Sequence, residues 1–558
     1  MKIVKFVMLT AAILASGNNL ALAAAPDAAT MKQEAFANVD KYADRMGRLG
    51  DAIFSYSEIG FQEHKTVDLL TRELKAHGFS VQAGVAGMPT AYMATYGSGS
   101  PKIGLMSEYD GVPGASQKPA ALVHDPVVPG APGHGEGHNT NQPPLLGAAF
   151  AMKALKDKYH LPGTIIVYGG PAEELLASRG YMAKAGLFDG LDAILHEHVS
   201  TEFGTSYGYN NFGNVSVQFD FKGRQAHGAR PWEGRSALDG VELLDTGIQF
   251  MREHAYDPED VRVQSVIPQG GQQPNVVPGD ASDWYFIRAK SAAQVESTLA
   301  WMRDIAKAAA LMSHTEVHER ILSASYPFYG NKALAQVLQR NIELVGMPKW
   351  SADDITFAKY KQESMGAPVI GLKTDITPLK SDRQNASTSD VGDMSWLVPN
   401  VKMYIPTNAP GDLAGHHWSA AIGPATPIAH KGMDAAAKAL VGTMIDLYTD
   451  PALLAGVKTD FQQQLAKNPP WHSMIPDGAK PPTYLNVEEM AKYRAALAAY
   501  EYDPNSKQTY LEFLKEPYPG KEPVAGSGKA SNAPPQTFEK SSIDWEWPDF
   551  NAKDLSAK

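Results

Sequence analysis

The pattern of apolar and polar positions predicts helices and strands that alternate along much of the chain. Apolar residues recur at helical spacing across residues 31–80, most clearly in "TVDLLTRELKAHGF". Further on, apolar runs such as "GTIIVYGG" and "LDAILHEH" enclose the helical segment "SRGYMAKAGLF". Strands that are apolar throughout and separated by helices are typical of a parallel sheet covered on both faces. The pattern therefore predicts an α/β fold with a mostly parallel sheet and helices on both faces.

The periodicity changes between residues 213 and 322. Strands such as "NVSVQFDFKG" alternate apolar and polar residues, and the pattern is strand, helix, strand, strand, helix, strand. This order predicts a compact α+β domain of ferredoxin-like type. The sequence thus predicts a larger domain built from residues 30–212 and 323–455, with a smaller domain of residues 213–322 inserted into it.

The two ends of the chain have their own composition. Residues 1–23 combine a charged start, an apolar run of about ten residues and a small-residue "ALA" end, which predicts a secretory signal cleaved after Ala23. An uncleaved membrane anchor is the alternative, although the run is shorter than the roughly 20 residues that span a bilayer. The signal predicts a periplasmic or secreted protein, and no later segment is expected to cross a membrane.

Residues 456–558 are predicted to form a Pro-rich extension. The segment "EPYPGKEPVAGSGKASNAPPQ" has the composition of a linker. The following "SSIDWEWPDF" contains Trp545, Trp547 and Phe550, which either pin the tail to the body of the protein or belong to a free end.

Composition and charge exclude several kinds of function. The 558 residues are 44% hydrophobic and 20% charged, with a formal net charge of −11 and no basic block. Such a chain is not expected to bind nucleic acid. It contains no Cys, which excludes disulfides, thiolate nucleophiles and thiolate metal ligands.

Four short motifs contain side chains that bind metals. In "GHGEGHN" (133–139), residues spaced two apart point the same way if the backbone is extended. The pair in "PAEE" follows an apolar strand, and the carboxyl ends of such strands are where ligands collect. The candidate residues of the four motifs are His134, Glu136 and His138; Glu173 and Glu174; His196 and His198; and His416 and His417.

Together these motifs supply a mixed set of imidazoles and carboxylates. Such a set can hold a pair of divalent ions about 3.5–4 Å apart, while a remaining carboxylate acts as a general base. Three other polar residues stand apart from the motifs: His227 in "QAHGARP", and Asp390 and Asp393 in "STSDVGD". A lone His is more often structural than a ligand.

These motifs resemble those of the metal-dependent amidohydrolases of the aminoacylase/carboxypeptidase clan, peptidase family M20. The matches occur in family order, cover roughly residues 35–455, and comprise "SEYDGVPGASQ", "GHGEGHN", "PAEE", "FKGRQAHGARPWEGRSALDGVELL", "PNVVPGDASDWYFIRA", "STSDVGDMSW" and "IAHKGMDAAAKAL". The resemblance implies that the larger domain is catalytic. It also implies that the inserted domain is a lid and a dimerisation surface, so that a homodimer is expected.

The resemblance also implies roles for residues of the larger domain. Glu173 matches the general base. His416 is favoured over His417 by the "H-x-W" pattern, although His417 could substitute. His134 is expected to be structural, and His196 has no counterpart. The metal ligands implied by the resemblance are Glu136, His138, Glu174, His198 and His416.

Three residues of the inserted domain match positions that contact substrate. His227 matches a His that helps to polarise the scissile carbonyl. Asn275 and Arg288 match positions that hold a substrate carboxylate. Each of the latter two has a structural alternative, since Asn275 suits a turn in "QPNVVPG" and Arg288 suits a surface strand.

Glu136 departs from the branch of the family that this chain resembles, which carries Cys at that position as a ligand bridging two metals. A carboxylate can bridge two ions through its two oxygens, and it is a harder ligand than a thiolate. The expected cofactor is therefore two divalent ions per chain, with a preference shifted toward Mn²⁺ while Zn²⁺ stays open. The rival hypotheses are that Glu136 holds one metal or none.

The resemblance implies hydrolysis of the amide bond of an N-acyl or aminobenzoyl amino acid, such as p-aminobenzoyl-glutamate. A dipeptidase or carboxypeptidase of the same clan is the first alternative. A non-catalytic periplasmic binding protein is the second, against which the intact Glu173 argues. The expected partner is in each case a small N-acyl amino acid or dipeptide.

Overall fold

The computed structural model describes residues 26–255 and 259–520. The predicted signal (1–23), the aromatic residues near the C-terminus and most of the linker-like segment lie outside these ranges. No helix within the described ranges is long and apolar enough to cross a membrane.

The larger domain is built on a nine-stranded mixed sheet in the order β1-β2-β4-β3-β5-β15-β6-β13, with β14 beside β6. Its centre, β4-β3-β5-β15, is parallel, and antiparallel strands flank it on both sides. This arrangement confirms the predicted fold class. The strands are β1 (Ser80–Ala83), β2 (Tyr92–Ser98), β3 (Lys102–Ser107), β4 (Gly163–Gly169), β5 (Ala193–Ser200), β6 (Gly204–Tyr209), β13 (Tyr329–Gly330), β14 (Lys380–Ser381) and β15 (Asn400–Pro406).

Two apolar cores cover the two faces of this sheet, because successive strand residues point to opposite sides. One core joins the sheet to α1, α2, α3, α7 and α10, and the other joins it to α4 and the inserted domain. The helices of the larger domain are α1 (Ala28–Tyr56), α2 (His64–Ala76), α3 (Gln142–Tyr159), α4 (Arg179–Lys184), α7 (Lys332–Val345), α8 (Ala352–Ser364), α9 (Met394–Leu397) and α10 (Pro427–Thr449).

The inserted domain has a four-stranded antiparallel sheet in the order β12-β7-β11-β9, with two helices packed on it. A separate two-stranded ribbon, β8–β10, extends from it. The first strand of this sheet starts at Gly213 and the last ends at Ser325, while the expected limits of the domain are 213 and 322. Its elements are β7 (Gly213–Lys222), β8 (Ala226–His227), α5 (Ala237–Ala255), β9 (Val261–Gln269), β10 (Val276–Val277), β11 (Asp280–Ala289), α6 (Ala292–Ser313) and β12 (Glu316–Ser325).

The predicted boundary between residues 455 and 456 falls inside a helix. Asp450 caps that helix and Pro451 occupies its first turn, so the helix begins there and continues past the predicted limit. The described part of the C-terminal extension then crosses the surface of the larger domain. Its helices are α11 (Pro451–Leu465), α12 (Val487–Leu497) and α13 (Tyr510–Leu514).

Helix α12 packs behind the segment that leads into the "GHGEGHN" loop. Met490 and Leu497 of α12 form a small apolar cluster with Ile59 and Ala131. Arg494 adds hydrogen bonds to the carboxylate of Glu58 at 3.4 Å and to the backbone near it. The extension therefore supports the loop from outside the region that the family resemblance covers.

We expect Met490→Ala to loosen this segment. Removing a buried Met side chain typically costs about 2–5 kcal/mol, and 1% of Met490 is exposed. Hydrogen exchange of the amides in residues 128–133 should become faster by about 30-fold or more. The matched control is Met312→Ala, whose side chain is 66% exposed on the inserted domain. Equal exchange in the two variants would contradict the supporting role of α12.

Candidate metal centre

The "GHGEGHN" loop lies at the carboxyl end of the parallel strands, and its two His residues separate. Gly137 has φ of +97°, which allows the chain to turn into a short 3₁₀ helix that starts at His138. The ring of His134 is buried and its Nε2 lies 3.1 Å from the carbonyl oxygen of Ile53. Burial lowers the pKa of His134 to about 3, so this imidazole is neutral. His138 instead points to the carboxylates of the site.

The two carboxylates of "PAEE" lie on a strained turn. Ala172 and Leu176, on either side of the 3₁₀ turn Glu173–Leu175, both have φ of +54°, a conformation that costs a non-Gly residue free energy. Buried acceptors hold this turn in place. The backbone N–H of Ala172 donates to Glu63 Oε1 at 2.8 Å, and that of Glu174 donates to Asp110 Oδ2 at 3.0 Å.

Glu136 contacts imidazoles from two other elements. Its Oε2 lies 2.6 Å from Nε2 of His416, and its Oε1 lies 3.5 Å from Nε2 of His198. His416 also lies 3.2 Å from Glu174 Oε2, and it has the left-handed φ of +58°. The ring of His417 lies outside this cluster, and its Nδ1 forms a hydrogen bond of 3.0 Å with the hydroxyl of Ser419. The geometry thus places His416, and not His417, in the cluster.

In His138 and His198, the protein holds one ring nitrogen and leaves the other free to bind a cation. His138 Nδ1 lies 3.3 Å from Asp110 Oδ1, while its Nε2 is buried without a hydrogen-bond partner. His198 Nδ1 lies 3.0 Å from the carbonyl oxygen of Val199, so its Nε2 faces Glu136. Metal-binding His residues usually have such a partner on the other ring nitrogen.

Three groups of side chains bring their ligand atoms within 4.8 Å of one another, and all are built from carboxylates and imidazoles. They are Glu108, His138 and His198; Glu136, Glu174 and His416; and His138, Glu173 and Glu174. Glu174 Oε1 is a further buried atom without a hydrogen-bond partner. These residues fit divalent ions, because oxygen and imidazole donors suit Mn²⁺ and Zn²⁺.

The electrostatics of the cluster also favour a bound cation. Burial, together with the negative charges of Glu136 and Asp110, raises the pKa of Glu174 well above its ordinary value. Burial also raises the pKa of Glu173 to about 8. Burial opposes the charged form of His138, but its hydrogen bond with Asp110 and nearby carboxylates raise its pKa well above the usual range. The site therefore holds several buried carboxyl groups whose charged forms a divalent cation would stabilise.

A buried ion network lies directly behind the cluster. Arg179 is fully buried and donates to Glu108 and, at 2.8 Å, to Asp390 Oδ1. The other oxygen of Asp390 accepts hydrogen bonds from the backbone and hydroxyl of Ser178. The network therefore links the "SEYD" strand end to the turn that carries the two Glu residues, and Asp390 is a structural residue in it. Asp393 is also structural, because it accepts a 2.7 Å hydrogen bond from Trp471 of the extension.

Sequence reasoning missed Glu108, Asp110 and Arg179. Glu108 and Asp110 had a usable signal, since both lie in "SEYD" at the end of β3, where ligands collect. Arg179 had none, because a single Arg in a short helix looks like a surface residue until its two buried partners are known.

An open cavity of about 440 Å³ lies over the cluster and reaches the inserted domain. Two cationic side chains, Arg288 and Lys402, line it together with three Asn residues. The residues that line the cavity include Glu136, Glu173, His196, Asn210, Arg288 and Lys402. The geometry thus places Arg288 at the cavity over the cluster.

His227 and Asn275 do not line this cavity. His227 is an exposed residue of β8, and Asn275 lies in the turn before β10, where its carbonyl accepts the N–H of Gly228 at 2.7 Å. Arg288 lies near the far end of β11, eight residues from Asp280, which corresponds to about 27 Å at the usual rise of a strand. Within one chain, His227 and Asn275 are therefore separated from the site where Arg288 lies.

Comparison with known proteins shows the family to which this chain belongs. The sequence profile described as Peptidase family M20/M25/M40 matches residues 104–378. The chain is 32% identical over 472 residues to a subunit of the p-aminobenzoyl-glutamate hydrolase of Escherichia coli (strain K12), covering 80% of this chain and 96% of that protein. It is 27% identical over 452 residues to Xaa-Arg dipeptidase of Mus musculus, covering 78% and 93%.

A solved structure shares the fold. A protein of methicillin-resistant Staphylococcus aureus, assigned as an aminohydrolase, has a TM-score of 0.54 and 17% sequence identity, over 75% of this chain and 100% of that one. The fold, the clustered motifs and the extent of the match to the Escherichia coli hydrolase lead to one conclusion. This chain belongs to peptidase family M20 and is a metal-dependent hydrolase of amide bonds.

Proposed function

We propose that this chain hydrolyses the amide bond between an aminobenzoyl or other acyl group and an amino acid, as in p-aminobenzoyl-glutamate. The observation that carries the proposal is the placement of Glu173 beside a buried cluster of imidazoles and carboxylates, at the floor of a cavity that also contains Arg288. The similarity to the p-aminobenzoyl-glutamate hydrolase of Escherichia coli over most of the chain supports the choice of substrate.

In this proposal the metal ligands are Glu136, His138, Glu174, His198 and His416. Glu136 would be shared between two ions, which its contacts with His198 on one side and His416 on the other support. Glu136 is a harder ligand than the Cys that the resembled branch carries at this position, so Mn²⁺ is preferred and Zn²⁺ is the second choice. Divalent ions held here lower the pKa of water toward neutrality and polarise a carbonyl.

Glu173 is the proposed general base. Its burial raises its pKa, so the carboxylate is a better proton acceptor than an exposed Glu near neutral pH. It takes a proton from the attacking water and passes the proton to the leaving nitrogen. The neighbouring turn residues Ala172 and Leu176 hold Glu173 in a fixed backbone conformation.

Arg288 is proposed to pair with a substrate carboxylate through two parallel hydrogen bonds. His227 and Asn275 keep their proposed roles in carbonyl polarisation and carboxylate binding only if the site of a second copy, or a large movement of the inserted domain, brings them to a substrate. A homodimer is therefore part of the proposal. The inserted domain exposes the apolar residues Val266 and Ile267 on its edge strand β9, and they support an interface between two copies there.

Two alternatives are separated from the proposal by experiment. A dipeptidase of the same family is suggested by the similarity to Xaa-Arg dipeptidase. Arg288 and Lys402, both lining the cavity, disfavour a cationic Arg residue in the substrate because like charges repel.

We also propose export to the periplasm or the medium, on the basis of the N-terminal signal pattern.

A substrate panel tests the proposed function. Protein loaded with Mn²⁺ or Zn²⁺ is incubated with p-aminobenzoyl-glutamate, N-acyl amino acids and dipeptides, and the released amine is measured. We expect the highest kcat/KM for an aminobenzoyl or acyl derivative. Faster release from dipeptides would favour the dipeptidase, and tight binding without release would favour a binding protein.

A further inference from the structure

Lys402 has a charge that no residue of the site neutralises directly. It lies on β15 and lines the cavity, where its Nζ donates to Asn210 Oδ1 at 2.9 Å. Its ammonium lies 5.1 Å from the ring centre of Tyr404 and 5.9 Å from that of Phe328, which hold it in place. Over the described residues, no carboxylate oxygen lies within ion-pair distance of Lys402. The charge of Lys402 acts on the carboxyl group of Asp382, but Asp382 accepts a hydrogen bond from Ser206 and forms no ion pair with Lys402.

His196 lies beside Lys402 and is the motif residue to which the family resemblance gave no role. The two are register partners on the parallel strands β5 and β15, so their side chains project to the same face of the sheet. Only 1% of His196 is exposed, and neither ring nitrogen has a hydrogen-bond partner. Its Nε2 approaches Glu108 Oε2 no closer than 3.9 Å. A buried imidazole without partners costs free energy unless a ligand accepts its N–H.

Arg288 is the second cation of the cavity, and it too lacks an anionic partner among residues 26–255 and 259–520. Its Nε is buried without a hydrogen bond, and burial lowers the pKa of its guanidinium. Holding two partly desolvated cations in one cavity is unfavourable unless the ligand provides negative charge to both. The cavity also contains the carboxylates of the metal centre, but Arg288 and Lys402 form no ion pair with them.

We propose that Lys402, with His196 and Asn210, binds a second carboxylate of the substrate, so that the amino acid released is a dicarboxylic one such as glutamate or aspartate. This inference rests on the proposed function, in which Arg288 binds the first carboxylate. The ammonium supplies the charge, the imidazole of His196 donates one N–H, and Asn210 fixes the position of Lys402. Lys402 is thus a specificity residue that does not contact the scissile bond.

The test compares two substrates that differ only in the second carboxylate, p-aminobenzoyl-glutamate and p-aminobenzoyl-glutamine. We expect the wild-type protein to prefer the glutamate compound by at least about 10-fold in kcat/KM, the usual effect of a charged hydrogen bond. Lys402→Met should raise KM for the glutamate compound by about 10- to 100-fold, with little change in kcat and little change for the glutamine compound. Lys402→Arg should retain most of the preference.

The matched control is Lys373→Met, because Lys373 pairs with Glu202 outside the cavity. A measurement that needs no variant is the inhibition of the wild-type protein, where glutarate should bind at least about 10-fold more tightly than butyrate. If the wild-type protein releases amine from neither compound and from none of the N-acyl amino acids of the substrate panel, the proposed function fails. If it cleaves both equally well, or if Lys402→Met weakens both equally, the second-carboxylate site is overturned while the proposed function stands.

Discussion

Glu173→Gln is expected to lower kcat by about 10³-fold or more, within the range that a positioned general base contributes. The amide keeps the size of the side chain and the turn between Ala172 and Leu176, but it cannot accept a proton at neutral pH. Because no proposed metal ligand is altered, the variant should bind its metal ions and the substrate as the wild-type protein does. Steady-state rates of amine release, with metal content measured on the same samples, give the result.

Glu319→Gln is the matched control for this substitution, since Glu319 pairs with Arg303 on the surface of the inserted domain. It should leave kcat unchanged. A Glu173→Gln protein that retains both its metal ions and its rate would show that another group accepts the proton. A variant that loses its metal ions together with its rate would instead assign Glu173 to the ligand set, which its place in one group with His138 and Glu174 makes a real alternative.

Glu136→Ala is expected to lower the metal content from two ions per chain to one or none. The reason is geometric: one carboxylate reaches His416 with one oxygen and His198 with the other, so its loss removes a ligand from both sides of the cluster. Purification without chelator, followed by elemental analysis, measures the change. Unchanged metal content would show that Glu136 is not a ligand.

Glu136→Cys changes the chemical type of the ligand, whereas Glu136→Ala removes the ligand. The branch of the family that this chain resembles carries Cys at this position, so the variant should still hold two ions. A thiolate is softer than a carboxylate, and the preference should therefore shift toward Zn²⁺. The thiolate should also make the protein sensitive to peroxide. If the variant keeps the metal preference and the peroxide resistance of the wild-type protein, this would count against the hypothesis that Glu136 takes the place of the metal-binding Cys of that branch.

The sequence predicts the fold class well because its strong signals are periodic. The fully apolar strands and amphipathic helices appear where expected, and a strand of the four-stranded sheet starts at Gly213. The limit at 455 is wrong, because the composition changes gradually while Asp450 and Pro451 start a new helix just before it. The antiparallel strands that flank the parallel centre also have no clear signal in the pattern.

Residues near one another in sequence, or at strand ends, were the predictable part of the site. The side chains of Glu136, His138, Glu174, His198 and His416 lie close to one another, and their role as metal ligands stays a prediction. His227 and Asn275 match family motifs, but pattern matching carries no information about the length of β11, which separates them from Arg288. Lys402 belongs to no motif, and only the register of β15 against β5 places it beside His196.

The most direct test of the metal centre is anomalous X-ray diffraction from crystals of protein loaded with Mn²⁺ or Zn²⁺ and shown to release amine from its substrate. We predict two anomalous peaks per chain within the cluster, one on each side of the Glu136 carboxylate, contacting His416 and His198 respectively. A single peak, or peaks away from Glu136 in an active preparation, would contradict a two-metal centre bridged by this residue.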